Sequence, residues 1–403
     1  MNPWPVIVAN LRRRPGSAIA IILLIGLAVA LGVAISAQER ALRKGSAAAA
    51  DAFDLVIGAP GSETQLVLTT VFLQPAALPL IPGDLLKTLA ADPRVAAAAP
   101  VAFGDFHRGM PVIGTTVEMA NRFGSLKLVE GRLFAAMDEV VAGADANVGP
   151  GYSFHPSHGA VGGEEHTHDG DTYTVVGRLA RTGTPWDRAL LVPVESVWET
   201  HALPDGHESD AEESDHIGAP WAAAALAGVP SIVVKPRSVA DAYSLRNQYR
   251  RGGTMAVFPG EVLVSLYTLM GDARSVLSLI AIGTQALVVA AILLAVLLSI
   301  AQRSRQIAVL RALGASRAYV FLMIWLETTL LIAAGAALGL AGGWGGAEVI
   351  AAIFHARSGI ALPVTIGSDE AVLALALLGI GGVLALLPGW VAYRQPVAAA
   401  LRS

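Results

Sequence analysis

The 403-residue chain contains no cysteine. That excludes disulfide staples, thiolate metal sites and cysteine nucleophiles, so any metal would have to be held by imidazole and carboxylate. Lysine is nearly as scarce: Lys44, Lys87, Lys127 and Lys235 are the only copies, and none follows a glycine. With no G-x-x-x-x-G-K-[ST] string, the chain has no P-loop with which to bind ATP. Charged residues make up 15% of the chain and hydrophobic residues 54%, a balance too apolar for a soluble enzyme and too charged in its middle for a purely intramembrane protein. No interleaving of basic and aromatic residues marks a nucleic-acid surface, and no Ser-His-Asp arrangement has positional support.

Acidic residues are also missing from particular places. The 26 residues from Val276 to Ala301 carry no charge and end abruptly in Arg303 and Arg305. At about 1.5 Å per residue such a run crosses a hydrocarbon core of roughly 30 Å as a helix. Three further runs, 17–37, 318–343 and 371–393, have span length, and 273–301 completes the set. A signal peptide is the rival reading of 17–37, but its apolar run exceeds a signal core, and a retained anchor is preferred. The intervening segments 1–16, 302–317 and 394–403 contain nine arginines and no Asp or Glu, which marks them as cytoplasmic. The loop 344–370 then lies outside, as does the large segment 38–272, which holds 28 of the 32 acidic residues.

Within 38–272 the pattern reads as two βαβ-like halves: AFDLVIGA, GDLLKTLAADP and RVAAAAPVAFGD in the first, SIVVKP, SVADAYSLRNQYRR and MAVFP in the second. Two inserts carry the unusual chemistry. The loop 154–173 holds His155, His158, His166, His168 and Asp169, and the loop 201–216 holds His201, His207 and His216 with six carboxylates. Imidazole with carboxylate suits zinc or another divalent transition ion. A solvated acidic loop is the alternative, and an H-x-H-x-D-H hydrolase motif is not completed, because Asp169 directly follows His168.

The string RSRQIAVLRALGASRAYVFLMIWLETTLL, from Arg303, resembles the cytoplasmic coupling segment of MacB-type (FtsX-like) ABC transporter permeases, which reads R-x-x-E-I-x-x-L-R-A-x-G-A with a Glu in the following span. Gln306 stands where that family usually has Glu. YTVVGRLARTGTPWDRALLVPVESVW resembles the family's extracytoplasmic domain more loosely, and the tail resembles its D-P-x-x-A-L-R ending, with Gln395 for the acid.

The resemblance implies an α-helical membrane protein with four transmembrane helices and a large α+β extracytoplasmic domain inserted between helices 1 and 2. It implies a homodimer without catalytic residues of its own, to which a separate ABC ATPase subunit brings ATP, in the inner membrane of a Gram-negative bacterium with the main domain periplasmic. Arg303, Arg305, Ile307, Leu310, Arg311, Leu313, Gly314 and Arg317 are the expected ATPase contacts, with Ile307, Leu310 and Leu313 or Gly314 on one helical face. Glu327 lies inside the apolar layer, where an ionisable group is costly and suspect of function, and a packing role in the dimer is expected of it. The His-rich loops add a link to zinc or another divalent metal and to a periplasmic metal-binding or adaptor protein. An FtsX-like scaffold activating a periplasmic partner, and lipoprotein release as in LolC- and LolE-like relatives, share the same architecture.

Overall fold

The computed structural model describes residues 2–13, 15–158, 166–167, 172–204, 207, 216–221, 226–269, 271, 279, 283, 286, 290, 304–365 and 367–394. The expected span 273–301 therefore lies almost wholly outside the described residues, as do His168, Asp169 and Arg303 and the side chains of His158, His166 and Arg305. The chain divides into two compact units, one of Met1–Arg43, Gly271–Ile353 and Leu362–Ser403, the other of Lys44–Met270 with Phe354–Ala361.

The first unit is helical. Among the described residues two helices are long and apolar enough to cross a membrane, Pro15–Ala50 and Arg317–Ser358, and both outrun the expected spans 17–37 and 318–343. The loop expected from 344 is helix as far as Ser358. Gly345 and Gly346 fall within it, and Gly343, Ala347 and Ala351 are buried at four-residue spacing, so packing sustains the helix through them. Gly359, at φ +73°, ends it. The run 371–393 is two helices, Ser368–Leu384 and Leu386–Arg394. Pro388 has no N–H to give the carbonyl of Leu384, which accounts for the break between them. Segment 1–16 carries a helix of its own, Trp4–Arg13.

The second unit is α+β with a mixed sheet. The strands are β1 (Leu55–Gly58), β2 (Val95–His107), β3 (Met110–Thr115), β4 (Leu128–Gly131), β5 (Glu139–Ala142), β6 (Ser153–Phe154), β7 (Ser157–His158), β8 (His166–Thr167), β9 (Tyr173–Leu179), β10 (Leu190–Pro193), β11 (Ser231–Pro236) and β12 (Met255–Val257). The main path runs β12-β1-β11-β2-β3-β10-β5-β9-β4, with β6 pairing off β9, and β7 pairing β2 and β8. The two expected βαβ halves are not separate. β11 lies antiparallel between β1 and β2, and β1 lies antiparallel between β11 and β12. Each half is thus a split βαβ completed by a strand of the other.

The 13-residue β2 joins the two parts of the sheet. Val95–Val101 pairs with β11, Ala102–His107 pairs with β3, and a bulge falls between Phe103 and Asp105. Leu55, Ile57, Leu86, Leu89, Ile232 and Leu245 form the core beneath the split βαβ part. Helix Asp84–Ala91 ends at Asp92, as the following Pro93 requires. There the Arg94 guanidinium, hydrogen-bonded to the Asp92 carboxylate, holds its carboxyl below the usual range.

Candidate functional site

The most distinctive stretch of sequence folds into an elbow. Helix Ser304–Ala312 stops at Gly314, whose φ of +100° is accessible to glycine at little cost. The Ser316 hydroxyl then accepts the Tyr319 N–H at 3.1 Å and opens helix Arg317–Ser358. One side of this helix faces inward. Ile307 is buried in the helical unit's own core with Ile7, Tyr319, Val320 and Met323, and Leu310 packs against that core. The groups turned outward are Val309, 45% exposed, and Leu313, 80% exposed. A three-residue apolar spacing marks a face but does not say whether it meets the unit's own core or a partner. Arg317 lies over the Tyr393 ring, 5.8 Å from its centroid.

Glu327 is buried within the same unit. It accepts a hydrogen bond from Asn10 Nδ2 of helix Trp4–Arg13 at 3.1 Å, and Tyr319 Oη donates to the Asn2 carbonyl at 3.3 Å. The Glu327 carboxylate thus bonds a helix of its own chain.

In the second unit, the turn between β9 and β10 forms a clasp. The Asp187 carboxylate accepts the N–H groups of Thr182 and Gly183 and the Thr182 hydroxyl, at 2.6–3.0 Å. Beside it Arg122 is buried, donates to Thr184 Oγ1 at 3.1 Å, and lies over the Phe53 and Trp186 rings. Desolvation pushes the Arg122 guanidinium down to about 10, with the Asp187 charge opposing the shift. The turn so shaped holds residues 354–361: Gly183 O accepts Ala361 N–H at 2.8 Å, Arg188 Nη1 donates to the Arg357 and Ala356 carbonyls at 2.9 and 3.3 Å, and Asp145 pairs with His355 at 3.2 Å and with Arg181. A guanidinium on the last carbonyls of a helix satisfies acceptors that the helix leaves open. Local spacing does not single out Arg122 or Arg188, because their partners are distant in sequence.

Most residues of the two histidine loops lie outside those described. Among the described residues no group of three His, Asp or Glu side chains stands close enough to hold a metal ion. His155 is exposed, and His201 Nδ1 lies 2.7 Å from the Val197 carbonyl in the helix it terminates. His207 and His216 do meet, rings edge to face at 4.9 Å, with His207 Nε2 3.9 Å from Glu195. Glu195, 1% exposed, accepts the Trp221 indole N–H at 2.7 Å and the Gly218 N–H at 2.9 Å.

Desolvation raises the Glu195 carboxyl above its ordinary range despite those bonds and His207. The native state therefore binds this proton more tightly than the unfolded chain does. The group's favourable contribution is complete below its unfolded pKa and is lost as pH rises through the higher folded one. Replacing Glu195 with Gln keeps an acceptor for Trp221 and removes the buried charge. Thermal melts across pH 4–8, on the order of one unit apart, are expected to show a flatter pH dependence and higher stability at neutral pH than the native chain. Unchanged slopes would refute the assignment.

The family profile for the MacB-like periplasmic core domain matches residues 16–251, and that for the FtsX-like permease C-terminal region matches residues 278–399. Among solved structures, the chain is similar to the periplasmic region of MacB from Actinobacillus actinomycetemcomitans, at 12% identity and a TM-score of 0.34, covering 53% of this chain and 92% of that one. It is similar too to the extracellular domain of the noncanonic ABC-type transporter YknZ from Gram-positive bacteria, at 12% identity and a TM-score of 0.30, covering 51% of this chain and 98% of that one. No curated protein matches the chain. With more than half its length matched by the first profile and most of the remainder by the second, the chain belongs to the MacB-type, FtsX-like family of ABC transporter permeases.

Proposed function

We propose that the protein is a permease subunit that converts nucleotide-driven motion of a separate ABC ATPase into motion of an extracytoplasmic domain. On this reading it has four spans, sits as a homodimer in a bacterial inner membrane, and carries its second unit in the periplasm. The supporting observation is that helices Pro15–Ala50 and Arg317–Ser358 each begin among the residues of the helical unit and end among those of the α+β unit. The clasp holds the end of the second of these. A helix hydrogen-bonded throughout and fixed at its tip transmits displacement, whereas a flexible loop would absorb it.

The ATPase contact is then the outer face of the elbow, Val309 and Leu313 with Arg311, and Ile307 serves to seat the elbow on its own unit. Leu313→Asp is expected to cut co-purification of the ATPase at least about tenfold, the effect of losing an apolar interface anchor, while the permease melts as before. Ile307→Asp should instead lower the yield of folded permease. Normal ATPase recovery with Leu313→Asp would overturn the contact.

A link to zinc or another divalent metal is a second reading, supported by the meeting of His207 and His216 beside Glu195. Zinc calorimetry on the detergent-solubilised chain, with no heat at micromolar metal, would remove it. A regulatory scaffold and a lipoprotein-releasing permease use the same mechanical path, and the gene neighbours of the chain separate them.

A further inference from the structure

We infer that helix Trp4–Arg13 is a docking surface for anionic phospholipid headgroups, keyed in place from its opposite side. The helix has two faces of different fate. Ile7 is fully buried in the core of the helical unit, Val6 and Leu11 pack against that core, and Asn10 donates to Glu327. These four residues fall within one turn-to-turn stripe and fix the helix's rotation about its axis. What is turned outward is set by that anchoring: Trp4, 50% exposed, Val8, 42% exposed, and exposed Arg12 and Arg13.

The outward set has the composition of an interfacial helix. An indole and a valine offer apolar surface of the kind that enters the headgroup and acyl boundary, and two arginines follow at its carboxyl end. No Asp or Glu occurs before Glu39, so no carboxylate in the amino-terminal segment competes for those cations. The helix is followed after one residue by Pro15–Ala50, one of the two helices able to cross a membrane, which ties it to a span end. A soluble acidic protein would also attract Arg12 and Arg13, but it would not call for Trp4 and Val8 on the same face.

The absence of cysteine makes the test direct. The full chain carrying Val8→Cys is labelled with an environment-sensitive fluorophore and placed in nanodiscs of phosphatidylcholine alone or with phosphatidylglycerol. The expected result is blue-shifted emission in the phosphatidylglycerol discs, quenched by lipid spin-labelled near the headgroup. Adding Arg12→Gln and Arg13→Gln is expected to return the probe towards water, with the phosphatidylglycerol dependence weakened roughly fivefold per arginine. Both arginines are exposed, so the melting temperature should not move. Emission characteristic of water in both discs overturns the inference, as does equal emission in the two lipids. Protection of the probe that appears only when an ATPase subunit is bound assigns the face to that protein instead. None of these outcomes bears on whether Leu313 contacts the ATPase.

Discussion

Gly339→Leu is expected to abolish the folded helical unit, and Gly345→Leu to leave the packing within one chain intact. A Cβ at Gly339 would stand 2.5 Å from Val29 Cβ and 2.6 Å from the Gly26 carbonyl oxygen, the latter being backbone that cannot rotate away. Its neighbours one turn away behave alike: a Cβ at Gly335 meets Ile25 Cβ at 2.6 Å, and one at Gly343 meets the Ala30 carbonyl at 2.6 Å. Glycine at 335, 339 and 343 is a four-residue stripe along which helix Pro15–Ala50 lies backbone to backbone, the close approach that small residues permit in membranes. Overpacking by a single methyl costs about 1–3 kcal/mol, and a leucine at the centre of the stripe must push the helices apart along its length. Around Gly345 nothing lies within 4 Å. Thermal unfolding in detergent, followed by loss of monodispersity, separates the two variants. Similar melting of both would show that the stripe does not hold the helices.

The same stripe shows what was legible beforehand. Glycine at this density from 335 to 346 permits close helix approach, but composition does not say which glycines touch. Gly335, Gly339 and Gly343 pack inward, while Gly345 and Gly346, within the segment expected as a loop, face open space. In the α+β unit, β-branched runs such as SIVVKP and the Asp92-Pro93 stop sat where local chemistry put them, because strand propensity and a missing proline N–H act within a few residues. The interleaving of the two split βαβ motifs was not legible, since pairing of β1 with β11 joins residues nearly the whole domain apart. For the elbow, the apolar spacing of Ile307 and Leu310 marks one face of a helix, and that face lies against the helical unit's own core. The spacing alone does not say whether such a face turns inward or outward, because that depends on residues distant in sequence. The histidines stand out by composition, and of their two loops the described residues bring His207 and His216 together.

Asp187→Ala is expected to be the most damaging substitution in the α+β unit, with a loss of about 3–5 kcal/mol, the cost of stripping a buried charge of its partner. The carboxylate does two things at once. It bonds the N–H groups of Thr182 and Gly183, so its removal frees the turn whose Gly183 carbonyl binds Ala361. It is also the charge that offsets burial of Arg122, whose guanidinium would otherwise sit among Phe53, Trp186 and a threonine hydroxyl without a counter-ion. The two effects are separable. Arg122→Met with Asp187→Ala removes both charges and leaves an apolar stem against the rings, so the double variant should recover part of the stability that Asp187→Ala loses. It should not restore the turn. Melts of the full chain read the first effect, and protease cleavage between His355 and Ala361, which the clasp shields in the native chain, reads the second. If the double variant melts no higher than Asp187→Ala, the buried charge is not the source of the loss. If cleavage in 355–361 stays at the native rate, Asp187 does not hold the clasp, and the helix tip on which the proposed transmission depends must be fixed by something else.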